Sequence, residues 1–186
     1  MKMNKIARIT LITLATLTLV ACGQKENTTK KEESSQTESV SVPKEDTSKP
    51  SFKNDTLKIE MATLKILSTE VLPADASAYR DKPQLVFTYE VTNNSKDLIQ
   101  ASTVWIACFE ATQEAKDTIN NLNVGMTPRD EKFNEFKEHE GDDIKTDGTV
   151  KAVIAYDLED LDTPVILKAS QGFGGDELGE KKIMLK

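Results

Sequence analysis

Large apolar residues alternate with polar ones from residue 52 onward, and they hardly occur between residues 23 and 51. Alternation with period two marks strands that turn one face to a core and the other to water. Leu57, Ile59 and Met61 alternate, and Leu64 and Ile66 then alternate in the opposite phase. A slip of phase swaps the buried face, so a bulge or tight turn is predicted at Ala62-Thr63. Gln84–Thr92 predicts the clearest strand, with Leu85, Phe87, Tyr89 and Val91 on one face and Thr88, Glu90 and Thr92 on the other. Residues 72–83, with two prolines, predict a loop, and Asn93-Asn94-Ser95 a turn. Thr103–Ala111 is apolar in both phases and predicts a central strand covered on both sides. Ile119–Val124, Thr149–Leu158, Pro164–Ala169 and Lys182–Leu185 complete the set, with Val150, Ala152, Ile154, Tyr156 and Leu158 inward.

One segment carries a helical signal. Thr127 suits a cap, Pro128 the first helical position, and Asp130 and Glu131 the positive helix end. Phe133 and Phe136 then share a face, which predicts core packing, and Gly141 ends the segment. Seven or eight short strands with one brief helix predict an all-β, antiparallel sandwich.

The first 51 residues read differently. Lys2, Lys5 and Arg8 precede a 13-residue apolar run, Ile9–Ala21. A bilayer-spanning helix needs about 20 residues, whereas a signal-peptide core is shorter. The run closes on Leu19-Val20-Ala21-Cys22, which resembles the bacterial lipobox. That resemblance implies cleavage between Ala21 and Cys22 and a diacylglyceryl thioether on the Cys22 sulfur. Thioether formation calls for a strong nucleophile, which a thiolate is. Two acyl chains hold a protein on a membrane where one holds it only marginally. The predicted location is the outer face of the bacterial cytoplasmic membrane, lipid-anchored. Residues 23–51 contain no aromatic residue, only Val40 and Val42 as large apolar ones, and many Ser, Thr and mixed charges. With the lipidated Cys22 they predict a disordered tether, 22–51, after a signal peptide, 1–21, and before a domain, 52–186. Such a tether spans about 30 Å on average.

Charge narrows the partners. Residues 52–186 hold 16 Lys/Arg and 25 Asp/Glu, a net −9, and such a surface repels phosphate backbones, so no nucleic-acid partner is expected. With Cys22 lipidated, Cys108 is left alone, and no intrachain disulfide is available. Its apolar neighbours predict a small buried hydrophobe rather than a reactive thiol.

Particular residues also carry a family resemblance. Asn54-Asp55-Thr56-Leu57-Lys58-Ile59, Val86-Phe87-Thr88-Tyr89-Glu90-Val91-Thr92-Asn93, Trp105-Ile106-Ala107, Leu122-Asn123-Val124-Gly125, Ala155-Tyr156-Asp157-Leu158 and Thr163-Pro164-Val165 resemble the Ig-like domain-of-unknown-function family 5067. The resemblance spans about 52–186 and implies an Ig-like sandwich on a Gram-positive surface lipoprotein. It brings no catalytic residue. Relatives of this fold often place Pro-Gly before the strand at Thr149; here Asp147-Gly148 stands, and Gly148 is expected to supply a positive φ.

Candidate chemistry is sparse. His139 is the only histidine and lies in a charged run, where a catalytic dyad or triad would lack packed support. There is no GxSxG or HExxH, and zinc-type ligand sets are missing. Ser41-Val42-Pro43-Lys44 matches an SxxK pattern but sits in the tether, where nothing preorganises a site. Glu140, Asp142 and Asp143 are weak calcium candidates, with Glu138 and Asp147 nearby, although their spacing is not that of an EF-hand. Gly172-Phe173-Gly174-Gly175 superficially resembles a phosphate loop, but acidic Asp176 and Glu177 follow, and a hairpin turn is expected.

These readings point to a non-enzymatic lipoprotein without a cofactor. Its Ig-like module is expected to bind an envelope component or a secreted protein through loops 72–83 and 126–148. The alternatives are an inhibitor or modulator of an exported enzyme, and a small-ligand or calcium-binding lipoprotein. Trp105 and Phe173 discriminate, since burial of both would indicate purely structural aromatics.

Overall fold

The computed structural model describes residues 49–186. The signal, the tether up to residue 48, and with them Ala21, Cys22 and Ser41–Lys44, lie outside the described residues. Among the described residues nine strands occur: β1 (Ser51–Lys53), β2 (Thr56–Lys58), β3 (Ala62–Leu72), β4 (Gln84–Asn93), β5 (Phe109–Glu114), β6 (Ile119–Asn121), β7 (Thr149–Asp157), β8 (Val165–Ser170) and β9 (Glu177–Ile183). Two helices, α1 (Ala101–Cys108) and α2 (Asn134–Lys137), interrupt them.

The strands form two antiparallel sheets, ordered β1-β2-β3-β4-β7 and β6-β5-β8-β9. This connectivity is that of an Ig-like sandwich: β3, β4 and β7 take the places of strands A, B and E, and β6, β5, β8 and β9 those of C′, C, F and G. The hairpin β1–β2 extends the first sheet beyond β3. The phase slip predicted at Ala62-Thr63 is a tight turn just before them, over residues 59–62, in which the Ile59 amide donates to the Ala62 carbonyl at 3.0 Å, and Ala62-Thr63 themselves begin β3. Leu57 and Ile59 are buried before it and Leu64 and Ile66 after it, but Met61 at the turn is exposed rather than inward. The clearest predicted strand is β4, and it is more deeply covered than alternation implied, for Val86 and Thr88 are buried as well.

The central strand predicted at Thr103–Ala111 is corrected. Residues 101–108 form helix α1, and the chain enters β5 at Phe109 with no connecting loop. Ala101, Val104, Trp105 and Cys108 are its buried residues, a spacing of three, four and seven that defines one helical face. Ile106, counted as inward in the strand reading, is exposed. Gln100 precedes the helix without a side-chain cap bond.

Trp105 enters the space between the sheets. Its ring lies 5.0 Å from that of Phe87, 4.5 Å from Tyr89 and 4.6 Å from Phe109 between centroids. Its indole Nε1–H donates to the Tyr156 hydroxyl at 2.9 Å. β4, β5 and β7 thereby meet on one helical residue.

The predicted helix of residues 127–141 shortens to a 3-10 turn, Glu131–Phe133, followed by α2. Thr127 does not cap it; its hydroxyl donates to Glu140 Oε1 at 2.9 Å. The aromatics behave as predicted. Phe133 is buried and Phe136 half-buried, in a satellite cluster with Leu72, Val86 and Ala155 that covers the outer face of the first sheet. Before β7, the positive φ belongs to Asp147 (61°) rather than to Gly148. Gly148 is needed for space, because a Cβ there would stand 2.9 Å from the Lys145 carbonyl oxygen. The last strand starts at Glu177, earlier than predicted.

Asn93 fixes the end of β4. Its buried side chain donates to the carbonyls of Asp97 (2.7 Å) and Ile144 (2.8 Å) and accepts from the Ser95 amide (2.8 Å). Its backbone amide donates to the Gly148 carbonyl at 3.0 Å and its carbonyl accepts from the Asp147 amide at 2.9 Å. Removing the amide strips buried carbonyls of their donor, which costs about 1–3 kcal/mol per group. Asn93→Ala is therefore expected to lower unfolding free energy by roughly 3 kcal/mol in urea titration, with unchanged slope.

Candidate functional site

In an Ig-like sandwich the B–C and F–G connections gather at one end. Here the first is the 94–100 loop with α1, and the second is the β8–β9 hairpin. The β2–β3 turn and the 141–148 turn reach the same end. Ile99 and Ile144 pair there in a two-way backbone bridge, with N···O distances of 3.4 and 2.7 Å.

Two hollows open on either side of Ala107, Cys108 and Gly172, which line both. The first, of about 330 Å³, lies between α1 and the β2–β3 turn, against Met61, Leu98, Ile99 and Val104. The second, of about 350 Å³, lies between α1 and the β8–β9 hairpin and is flanked by Ile106 and Phe173. Large apolar side chains stand exposed around them: Phe173 is 80% exposed, Leu98 62%, and Ile106 and Met61 nearly half. Clustered exposed apolar groups mark contact surfaces more reliably than scattered ones. Phe173 projects from a hairpin whose glycines make it possible: Gly172 and Gly174 have φ of +116° and +68°. The Gly172-Phe173-Gly174-Gly175 segment is thus the hairpin turn predicted for it, closed by Gly175 N–H donating to the Gly172 carbonyl at 3.0 Å.

Of the two discriminating aromatics, Trp105 is wholly buried and Phe173 is not. Cys108 is buried, as its neighbours predicted, and burial pushes its thiol up to about 11. It therefore remains protonated at neutral pH, which removes its nucleophilic form. His139 is on the surface, with Nδ1 3.1 Å from Asp142 Oδ2, and does not meet Cys108 in any hydrogen bond.

The calcium candidates are not brought together. Glu140 receives the Thr127 hydroxyl, Asp142 faces His139, and Asp143 accepts from Gln100 Nε2 at 3.1 Å. Among the described residues no group of three or more His, Cys, Asp or Glu side chains is placed to hold a metal ion. Loops 72–83 and 126–148, expected as contact surfaces, largely engage each other. Arg80 is buried, donating to the Pro73 carbonyl at 2.6 Å and pairing with Asp130 at 3.3 Å, and the Arg129 guanidinium stacks 4.3 Å from the Tyr79 ring centre. Sequence reasoning missed Met61, Leu98 and Ile106. Leu98 and Met61 carried a signal, being isolated apolar residues beside turn residues; Ile106 was hidden by the strand reading of α1.

Sequence comparison places the chain in a family: residues 24–171 match the domain of unknown function DUF5067, and the chain belongs to that family. The match begins earlier than residue 52 and stops before β9. A comparison with curated proteins finds no match. Among solved structures, the fold is similar to that of a protein from Staphylococcus aureus described as a "putative lipoprotein", at 23% identity and a TM-score of 0.64, covering 74% of this chain and 92% of that one. It is also similar to a protein from Enterococcus faecalis, at 17% identity and a TM-score of 0.59, covering 75% and 96%. Both likenesses concern the sandwich fold.

Three buried groups of this end and the core beneath it share one titration behaviour. Burial raises Cys108 to about 11 and Tyr156 to about 12, and raises Tyr89 further. Above the ordinary thiol and phenol values the unfolded chain loses these protons while the folded chain keeps them, so stability falls as pH rises. The loss is expected from about pH 9 upward for Cys108 and from about pH 10 for the tyrosines, at up to about 1.4 kcal/mol per pH unit for each group. Urea midpoints measured between pH 8 and pH 11 check this, and Cys108→Ala flattens the first part of the decline.

Proposed function

We propose that the chain is a lipid-anchored extracytoplasmic protein whose Ig-like sandwich is a non-catalytic binding module. It contacts a protein or envelope component through the end formed by α1, the β2–β3 turn and the β8–β9 hairpin. The observation that carries this reading is the set of exposed Phe173, Leu98, Met61 and Ile106 around two hollows, of which the one between α1 and the β2–β3 turn is chiefly apolar. Large aromatic and aliphatic groups that fill or flank pockets supply most of the energy of protein contacts. The paired hollows lie within the size of ligand-binding clefts, and the walls of the one between α1 and the β2–β3 turn are chiefly apolar.

The lipobox-like Leu19-Val20-Ala21-Cys22 supports the anchoring. So does the protein of similar fold described as a lipoprotein. The described chain also joins the sandwich at this same end, since Ser51 pairs with Lys58, directly before the Ile59–Met61 turn. A second reading, in which the module inhibits or modulates an exported enzyme, is favoured by Phe173 itself. A bulky side chain on a narrow, glycine-flanked hairpin tip suits entry into a cleft.

Anchoring is tested by Cys22→Ser and, independently, by globomycin treatment. Either is expected to move the protein out of the lipid-modified mature form, seen as a change in mass and in membrane fractionation. An unchanged mass and fractionation in both would overturn it. For the enzyme-directed reading, the chain from residue 22 is added to exported proteases. Slowed turnover that Phe173→Ala abolishes is the expected result, and unaltered turnover retires that reading.

A further inference from the structure

The charges around the hollows decide what kind of partner they fit. A third hollow at this end lies against Ile59 and Asn94; Glu60, Asp97, Glu110, Asp143 and Glu177 line the three hollows together with Lys96 and Lys168, while Lys145 of the 141–148 turn lines none of them. Five carboxylates and two ammonium groups leave the lining net negative, and the hollow between α1 and the β2–β3 turn has a chiefly apolar floor. Lys168 contributes little positive field outward, since the β5–β8–β9 register sets it between Glu110 and Glu180. The rest of the domain does not offset this rim, because residues 52–186 carry a net charge of −9.

We propose that this end receives a cationic polypeptide segment, in which one bulky aromatic or aliphatic side chain enters the hollow between α1 and the β2–β3 turn. Flanking Lys or Arg residues of that segment meet Glu60, Asp97 and Asp143 on one side and Glu110 and Glu177 on the other. The inference rests on the reading of this end as a binding site and adds the chemistry of the occupant. Three other occupants fit the charge less well. A second copy of the chain would bring the same acidic rim against itself, and like charges across an interface cost affinity. An anionic bilayer would be repelled in the same way. A neutral small molecule would fill the hollow and leave the rim without a counterpart.

The test uses the chain from residue 22 onward with Cys22→Ser, so that the lipid does not dominate binding. Random twelve-residue peptides displayed on phage are selected against it, with a Leu98→Ala, Phe173→Ala double variant in parallel. Both substituted side chains are exposed, so the variant is expected to keep the fold, which circular dichroism and thermal melting verify. The expected outcome is enrichment of peptides with one Phe, Trp or Leu flanked by Lys or Arg, and loss of that enrichment on the double variant.

An enriched peptide is then titrated beside analogues in which Ser or Glu replaces its Lys and Arg. The cationic form is expected to bind about tenfold more tightly than the Ser form, and the Glu form most weakly. That preference shrinks between low and high salt, because screening shortens the range of surface charges. Glu60→Gln with Glu177→Gln is expected to narrow the gap between the cationic and the Ser forms, and an unchanged gap would overturn the role given to these carboxylates.

Enrichment of neutral or acidic peptides at this end would overturn the cationic partner while leaving the site in place. The absence of any enrichment over the double variant would overturn the site reading itself. Binding to phosphatidylglycerol vesicles that Leu98→Ala and Phe173→Ala abolish would assign the end to a lipid surface and overturn the proposal.

Discussion

The structure is organised by the burial of one indole. Trp105 is fully covered, three aromatic rings stand within about 5 Å of its own, and its only polar atom is bonded to Tyr156. A buried N–H without an acceptor would cost several kcal/mol on transfer from water, so the hydroxyl of Tyr156 is a condition of placing tryptophan there. Since Tyr156 lies on β7, Tyr89 on β4 and Phe109 on β5, the indole joins the two sheets across the core. Its attachment to α1 has a structural consequence. Whatever surface α1 presents at the end of the sandwich is held by the largest fully buried side chain among the described residues.

That coupling explains how an apolar outer surface is tolerated. Apolar groups facing water tend to rearrange toward any available cover, and a loosely held loop would fold Ile106 or Leu98 inward. Here α1 is pinned from below by Trp105, Val104 and Cys108, and the 94–100 loop is pinned by the Asn93 side chain and the Ile99–Ile144 bridge. The exposed groups therefore stay where they are, in a geometry set by the core rather than by a partner. A preorganised surface of this kind avoids the ordering cost that mobile loops incur on association.

Much of the fold was legible because strands with one wet face announce themselves. β3, β4 and β7 followed from alternation, the reversal at residues 59–62 from the phase slip, and the role of Phe133 from its spacing with Phe136. The failure at α1 has a definite cause. Thr103, Val104 and Ile106 are β-branched and favour strands by propensity, and no capping side chain marks the helix start. Yet Ala101, Val104, Trp105 and Cys108 carried the helical period throughout, and only the assumption that Ile106 is inward concealed it. The same assumption concealed the site. An exposed isoleucine on a helix that caps a sandwich is a surface feature, whereas an isoleucine in a central strand is core. The rim charges were all visible as residues, but their meeting depends on four separate connections converging, which pairing distant in sequence decides.

The placement of chemistry in this molecule also follows from burial. Its lone described thiol lies at the floor between the two hollows, where a nucleophile would be well positioned, but burial holds it protonated. Its histidine is far along the chain on a solvated turn, bonded only to a neighbouring carboxylate. What remains concentrated at this end is apolar area and negative charge. In the proposed binding role these two properties act by complementarity. An apolar anchor gives adhesion and an acidic rim gives discrimination, because rim charges contribute more to choice of partner and rate of encounter than to raw affinity. Under the proposed function, floor and rim divide the work of holding a partner between them.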